Sequence, residues 1–597
     1  MVKRFLVTTA LEETWCDDEP LLFLGEWCRR FSRKTCWSQL DAEVMPYHWD
    51  DREKLFADYQ YLQNFHERLL VNLTAQLNDI HGVDHSVRYW RILIGPWLGY
   101  FIQMLFDRWT SIQQAVSQYE LSGTIVRSGY EDLLVPNDMT HFTQLFVGDA
   151  WNHHIYAAIL QQFTTVPCIK KMQMSDDAPK SSSRIPIKKK ILRQLATWCS
   201  QAASTLVRDR DAFFLGTYLT VRDEIRLHRR FGQIPQRWSS VSPIQIPIDD
   251  KKRQWIVSGE THSAYETCAH ALIAQQIPAV YLEGYPQLMQ QAAALPWPKR
   301  PQVIFTSSAE NSDDVFKIWA AEKIEQGSPL VIGQHGGHYG VGRWSFAEEH
   351  EIAISDCYLS WGWTDAMQPK LKPIGQLKSK QPLGVRQSEQ TGALLVTCAL
   401  PQFSYWMYSV FVSRQWLDYF GDQCAFVEHL PAPVRNALTV RLFAHNYEWD
   451  QVPRWRERFP DLCLDEGTSN IDHLIRHSRL YIATYNATTF LESFTMNVPT
   501  VIFWNPQHWE LRDSAIPYFD DLKRVGIFHE TPASAARHVA QIWDDVDAWW
   551  NSAEVQGALG RFKARYCYLP NNMLDRVEQT LREIMTVSDT TALRMIG

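Results

Sequence analysis

No stretch of the sequence approaches ~18 uninterrupted apolar residues, about the length a helix needs to cross a bilayer. The most hydrophobic segment, from Trp90 to Trp109, is broken by Arg91, Gly95, Pro96 and Asp107, and is read as buried in protein rather than in lipid. Cys-x-x-Cys pairs and an HExxH motif are both missing, so neither spacing that announces zinc is present and no metal site is expected. The 11 cysteines are scattered and odd in number, which fits a reduced cytosol better than a disulfide framework. The opening MVKRFLVTTALEETW places acidic residues where a signal peptide would need a long apolar stretch. Basic residues are not in excess: 59 Lys and Arg stand against 67 Asp and Glu, a net charge of -8, which argues against a nucleic-acid binder. There is also no GxxxxGK[ST] phosphate loop. One local basic run, Lys188 to Arg193, reads as a solvated face, with peripheral contact at the inner face of an inner membrane as its functional alternative.

What is present is a chain of 597 residues, too long for one hydrophobic core. It is rich in aromatic side chains, with 25 Trp, 23 Tyr and 28 Phe, which serve core packing and can also stack on sugars or bases. RFLVTTA and PLLFLGEWC read as buried strands, and Asp50 to His81 and Ser86 to Tyr119 as two long helices around the turn HGVDH. GTIVRSG follows as a third strand. Ser175 to Lys190 is a polar loop or insertion. From Ala212 the strands AFFLGTYL, QWIVSG, AVYLEG, QVIFTSS and PLVIGQH alternate with helices, the rhythm of crossover units in a parallel sheet. The segment 373–392 is a linker. Beyond it GALLVTCA, a helix through Val410 to Tyr419, LTVRLFAH, LCLDE, LYIATYN, the helix Thr488 to Met496 and TVIFW begin a second doubly wound domain. The expected class is α/β, with two Rossmann-type domains. The N-terminal lobe is 1–380, with a helical insertion at about 50–210, and serves the acceptor. The C-terminal lobe is 390–597; it serves the donor, and its last helices return to the first lobe.

Open parallel sheets bind ligands where strands end and helix amides point outward, so the candidate residues are those that follow strands. After LYIA come Tyr485, Asn486, Thr488 and Thr489, which can present N–H groups to a phosphate, with Glu492 one turn further as an acceptor from a sugar hydroxyl. After the strand LTV, Arg441 can pair with a donor phosphate. In the first lobe Glu310, Asn311 and Lys317 follow one strand. Gln334, His335, Gly336 and Gly337 follow the next, where paired glycines admit close backbone approach and a histidine can act as a base. Glu349, His350 and Asp356 stand near the same lobe. Glu12, Glu13 and Glu26 end the first strands, and Glu26 is the third catalytic candidate beside His335 and Glu310.

TTALEETW, FLGEWC, PYHWDDR, RYWRILIGPWLGYF, WNHHIY, IGQHGGHYG, SDCYLSWGW and YNATTFLE, in that order, resemble the transferases encoded in bacterial O-antigen and capsule gene clusters, the surface carbohydrate biosynthesis proteins. The resemblance runs from Thr8 to about Trp509. It implies a cytoplasmic, metal-independent, GT-B-like glycosyltransferase with no cofactor beyond a nucleotide-sugar co-substrate. The second-lobe block is more distantly similar to enzymes that bind CMP-activated acidic sugars such as Kdo. The implied acceptor is a lipid-linked or growing glycan of the lipopolysaccharide or capsule. Alternatives are a nucleotide-sugar 2-epimerase-like enzyme and a non-catalytic scaffold of the assembly complex.

Overall fold

The computed structural model describes residues 2–16, 18–129, 131–172, 207–378, 392–405 and 407–596. Its strands form three sheets in which every pairing is parallel. In the first, β1 (Arg4–Val7), β2 (Leu21–Phe23), β3 (Ala42–Val44), β4 (Leu121–Ser128) and β5 (Cys168–Met172) stand in the order β3-β2-β1-β4-β5. The second runs β10-β9-β8-β7-β6, from β6 (Phe213–Leu215), β7 (Ile304–Thr306), β8 (Leu330–Gly333), β9 (Cys357–Ser360) and β10 (Leu371–Pro373). The third contains β11 (Ala393–Val396), β12 (Leu438–Arg441), β13 (Cys463–Asp465), β14 (Leu480–Ala483), β15 (Thr500–Phe503) and β16 (Phe528–His529), ordered β13-β12-β11-β14-β15-β16. Central strands such as β8, β9, β14 and β15 are buried at every position. That is why they read as unbroken apolar runs: helices cover both faces.

The stretch expected as one N-terminal lobe, 1–380, holds two parallel sheets, β1–β5 and β6–β10, and the third sheet lies in the stretch 390–597. The stretch about 50–210, read as a helical insertion, also carries β4 and β5, which complete that first sheet. β5 (CIKKM) is an edge strand exposed along most of its length, so it carries almost no apolar signal. QWIVSG and AVYLEG are not strands. Val257 exchanges hydrogen bonds with His270 of the helix Ala264–Gln276. Ala279 and Val280 donate to Pro136 and Asn137 from a 3₁₀ turn. Both segments are apolar, but local partners take their backbone groups before any sheet edge can. The helix expected through Val410 starts later, at Gln415–His429, after Ser413 with its positive φ of 50°. The polar stretch 175–190, the basic run Lys188 to Arg193 and the linker residues 379–391 lie outside the described residues.

The helices Arg52–His81 and Val87–Gln118 start at Asp51 and Ser86, whose side chains accept from backbone N–H groups of the first turn, and the first ends at Gly82 with φ 65°. Val87–Gln118 contains the apolar segment Trp90 to Trp109, most of which is buried inside the protein. At Gly95 and Gly99 an added Cβ would meet His350 and Phe346, so these glycines let the helix Phe346–Ile354 pack tightly against it. No helix among the described residues is long and apolar enough to cross a membrane.

The three sheets share one continuous core. Buried polar contacts also tie them together. Arg108 is fully buried and bonds Asn152 beside the first sheet, the carbonyl and hydroxyl of Ser404 from the third, and its neighbour Asp107. Removing one member of such a buried charged set costs about 3–5 kcal/mol, because the others are left unpaired. Arg52 pairs with Glu510 and Arg512 with Glu348, both at 2.7 Å, and single antiparallel bridges join Gly342 to Leu511 and Ser345 to Tyr408. In the C-terminal helix Met573–Ile596, Val577 and Leu581 pack with Phe214, Val331 and Leu359 of the second sheet.

Candidate active site at the junction of the three sheets

In the third sheet β11 and β14 are central neighbours, and the chain leaves them in opposite directions. A crevice at the carboxyl ends of such a pair is the usual ligand position in an open parallel sheet. A cleft of about 750 Å³ opens there. Cys398 and Ala399 after β11, and Tyr485, Asn486 and Ala487 after β14, form its floor. Asn311 and His338 reach it from the second sheet, Phe146 from the first, and Phe443, His445 and Tyr447 from the loop after β12.

The glycine loop of the second sheet and the helix start of the third meet directly. A Cβ on Gly337 would lie 2.5 Å from the Ala487 carbonyl oxygen and 2.8 Å from the Thr488 nitrogen. Only glycine fits, because the obstructing atoms are backbone and cannot rotate away. The helix Thr488–Thr495 begins at Ala487, and no side chain caps it. Its first N–H groups are therefore not satisfied by the protein's own side chains, and they carry the partial positive charge of the helix end. Beside them Asn486 is 1% exposed, and neither its Oδ1 nor its Nδ2 has a hydrogen-bond partner. A buried amide without partners is destabilising by about 1–3 kcal/mol unless a ligand supplies them.

The rim is strained. Tyr447, Glu448 and Asp450 have φ of 48°, 64° and 53°, each costing on the order of 1–3 kcal/mol. The first-sheet segment holds this loop in place: Arg30 bonds Glu448 and the Ser32 nitrogen bonds Asp450, both at 2.8 Å. Phe443 and Tyr447 stack at 6.1 Å and present an aromatic surface to the cleft.

On the second-sheet side, Glu310 after β7, His335 after β8 and Glu351 from the helix Phe346–Ile354 converge, with one ligand atom of each within 4.8 Å of the others. His335 is 29% exposed, while the two carboxyl groups are buried. His335 Nε2 lies 3.2 Å from the Tyr339 hydroxyl, and its Nδ1 lies 3.5 Å from Glu351 Oε1. Burial, helped by nearby Lys378, lowers the imidazole pKa to about 4, so it is neutral at pH 7. Burial pushes Glu310 up to about 7. It raises Glu351 well above the carboxylate range, with Glu310 adding to the shift. Glu351 accepts from Tyr339 at 2.8 Å and from Tyr358 at 3.2 Å.

Several expected site residues are committed elsewhere. Lys317 is fully buried against Asp314 and Tyr281 and does not line the cleft. Gln334 receives hydrogen bonds from the Trp361 backbone and the Trp363 ring and donates to Gly336, so it holds the glycine loop in shape. Arg441 is paired with Asp465 at 2.7 Å and also reaches the Gly467 carbonyl. Glu26 pairs with Arg29, Glu12 with Arg33 and Glu13 with Arg127, and none of the three lines the cleft. Asp356 accepts from the Leu330 nitrogen and from Arg88. Asn311 accepts from Tyr100 at 3.0 Å and stays on the cleft wall. Thr489 donates to the Tyr485 hydroxyl, Thr488 opens the helix, and Glu492 is buried one turn on. The residues that the pattern of strand ends missed are Glu351, Tyr339 and Tyr358. Glu351 sits beside Glu349 and His350 in an acidic helix, and its inward direction follows only from packing.

No curated protein matches the sequence. Solved structures show distant similarity. The pneumococcal O-GlcNAc transferase GtfA, in complex with UDP and GlcNAc, is 12% identical over 50% of this chain and 60% of its own, with a TM-score of 0.33. The wall teichoic acid polymerase TagF is 10% identical over 67% of this chain and 96% of its own, with a TM-score of 0.29. MurG of Acinetobacter baumannii is 11% identical over 66% and 96%, with a TM-score of 0.30. This chain thus spans about 60% of the length of GtfA. The profile of the LIC12162 family transferases matches residues 4–581, nearly the whole sequence, and the chain belongs to that family of transferases.

Proposed function

We propose that this transferase is a metabolic glycosyltransferase of GT-B type, with a nucleotide-sugar donor in the junction cleft and a growing surface glycan as acceptor. The observation that carries the reading is the contact between Gly337 and the uncapped helix start at Thr488, beside the unpartnered amide of Asn486. Helix N–H groups and an amide suit a phosphate and a ribose or sugar hydroxyl. The aromatic rim of Phe443 and Tyr447 suits a base. Among the described residues lining the cleft there is no Lys, Arg, Asp or Glu. A helix end supplies only about half a positive charge, which balances one phosphate better than two. The donor class we assign is therefore a sugar activated by a nucleoside monophosphate, as in CMP-sugars.

In the transfer, the acceptor hydroxyl loses its proton to a base held at the Glu310–His335–Glu351 cluster, and its oxygen bonds the anomeric carbon. The bond from that carbon to the donor phosphate breaks, and its electron pair leaves with the nucleoside monophosphate. Helix N–H groups at the phosphate stabilise the departing charge.

A thermal-shift screen of CMP-, UDP-, GDP- and dTDP-sugars tests the donor assignment. CMP-sugars should raise Tm most. Asn486→Leu should weaken donor affinity about tenfold, the equivalent of one or two lost hydrogen bonds. Its Tm without ligand should stay level or rise, because an unsatisfied amide is gone. If no nucleotide sugar shifts Tm, the donor reading fails.

A further inference from the structure

Two buried carboxyl groups and a part-exposed imidazole share one pocket, and their hydrogen bonds do not account for them. Glu310 is 1% exposed; its Oε1 has no partner, and its Oε2 has only a long 3.4 Å contact from Thr306. The buried Nδ1 of His335 is also without a hydrogen-bond partner. Lys317, the closest buried ammonium in sequence, makes its ion pair with Asp314. No hydrogen bond or ion pair from a lysine or arginine reaches Glu310 or Glu351 among the described residues. Buried carboxyl groups with no cation in direct contact must either stay protonated or gain a positive partner.

We propose that Glu310, His335 and Glu351 bind one divalent transition-metal ion, through Glu310 Oε1, His335 Nδ1 and a Glu351 oxygen. One nitrogen and two oxygens form a borderline donor set, which suits Zn²⁺ or Mn²⁺; all-oxygen sites suit Mg²⁺ or Ca²⁺. Three protein ligands leave a coordination position open, and the partial exposure of His335 gives that side of the pocket access to solvent. Tyr339 and Tyr358 hold Glu351 by its two oxygens, as outer-shell donors hold a ligating carboxylate. The contacts agree with a site whose ligands are pre-positioned from three separate elements: the ends of β7 and β8, and the helix Phe346–Ile354. The inference goes beyond the transferase reading. It departs from the expectation of no metal; ligands from three distant segments leave no spacing pattern in the sequence.

The test uses the full chain, stripped with EDTA and titrated with Zn²⁺ and with Mn²⁺ by calorimetry, with metal content measured after dialysis. The site predicts one tightly held ion per chain. Glu310→Gln and Glu351→Gln should each weaken that binding at least tenfold, and Tyr339→Phe should do so by about 10–100-fold. His473 and His477, exposed and stacked at 3.9 Å, form a competing surface pair. His477→Gln should leave the tight ion in place. Loss of the ion in His477→Gln would overturn the proposal, as would no ion bound, or unchanged affinity in both glutamine variants. Donor-induced Tm shifts measured on the same stripped protein keep the two readings apart: a retained shift with no metal uptake refutes the ion alone.

Discussion

Gly337→Ala should lower kcat/KM by about 10²-fold, the scale of a 1 Å misplacement between reacting groups. The new Cβ would sit 2.5 Å from the Ala487 oxygen, 2.6 Å from its carbon and 2.8 Å from the Thr488 nitrogen. The chain must respond by moving the glycine loop away from the helix start, and the donor phosphate goes with one wall and the acceptor with the other. Gly336→Ala is the matched control. Its nearest neighbours are the His338 and Tyr339 side chains at 3.3 Å, which can yield by a few tenths of an ångström. Steady-state kinetics on both variants, with Tm to confirm folding, separates the cases. Equal activity in the two variants would mean that the contact does not position the reaction.

His335→Ala should lower kcat by roughly 10²–10⁴-fold, the range for removing a positioned acid–base group, while donor affinity stays within about twofold. His335 is the most exposed member of the cluster with Glu310 and Glu351 and does not line the cleft assigned to the donor. Its imidazole is neutral at pH 7 and able to accept or ligate. Calorimetry with the donor, set beside turnover, reads the two effects separately. A loss of donor binding equal to the loss of turnover would move His335 to the donor side, and unchanged turnover would remove it from the chemistry.

The strand ends were legible where burial is complete. β8 and β14 are apolar throughout, and the residues after them, Gln334 to Gly337 and Tyr485 to Thr489, depart from ordinary loop composition. Both segments do border the junction. What one sequence does not carry is pairing across long chain separations. Arg441 reads equally as a phosphate ligand or an ion-pair partner, and β13 beside it in the sheet supplies Asp465. Lys317 reads as a helix residue near a cleft, yet it turns inward to Asp314 and Tyr281. Glu351 lies in a helix with several acids, and packing alone selects the one that meets His335. The first sheet was legible only in part: RFLVTTA, PLLFLGEWC and GTIVRSG are its β1, β2 and β4, while β3 and β5 were not read. Its edge strand β5 is solvated, so hydrophobic periodicity, the main strand signal, is silent there.

The most direct measurement is an experimental structure of the protein with a non-transferable CMP-sugar. The phosphate should lie at the first N–H groups of the helix Thr488–Thr495, the Asn486 amide should bond the ligand, and the sugar should turn toward Gly337 and His335. A ligand seated away from that helix start, with Asn486 still unpartnered, would contradict this placement.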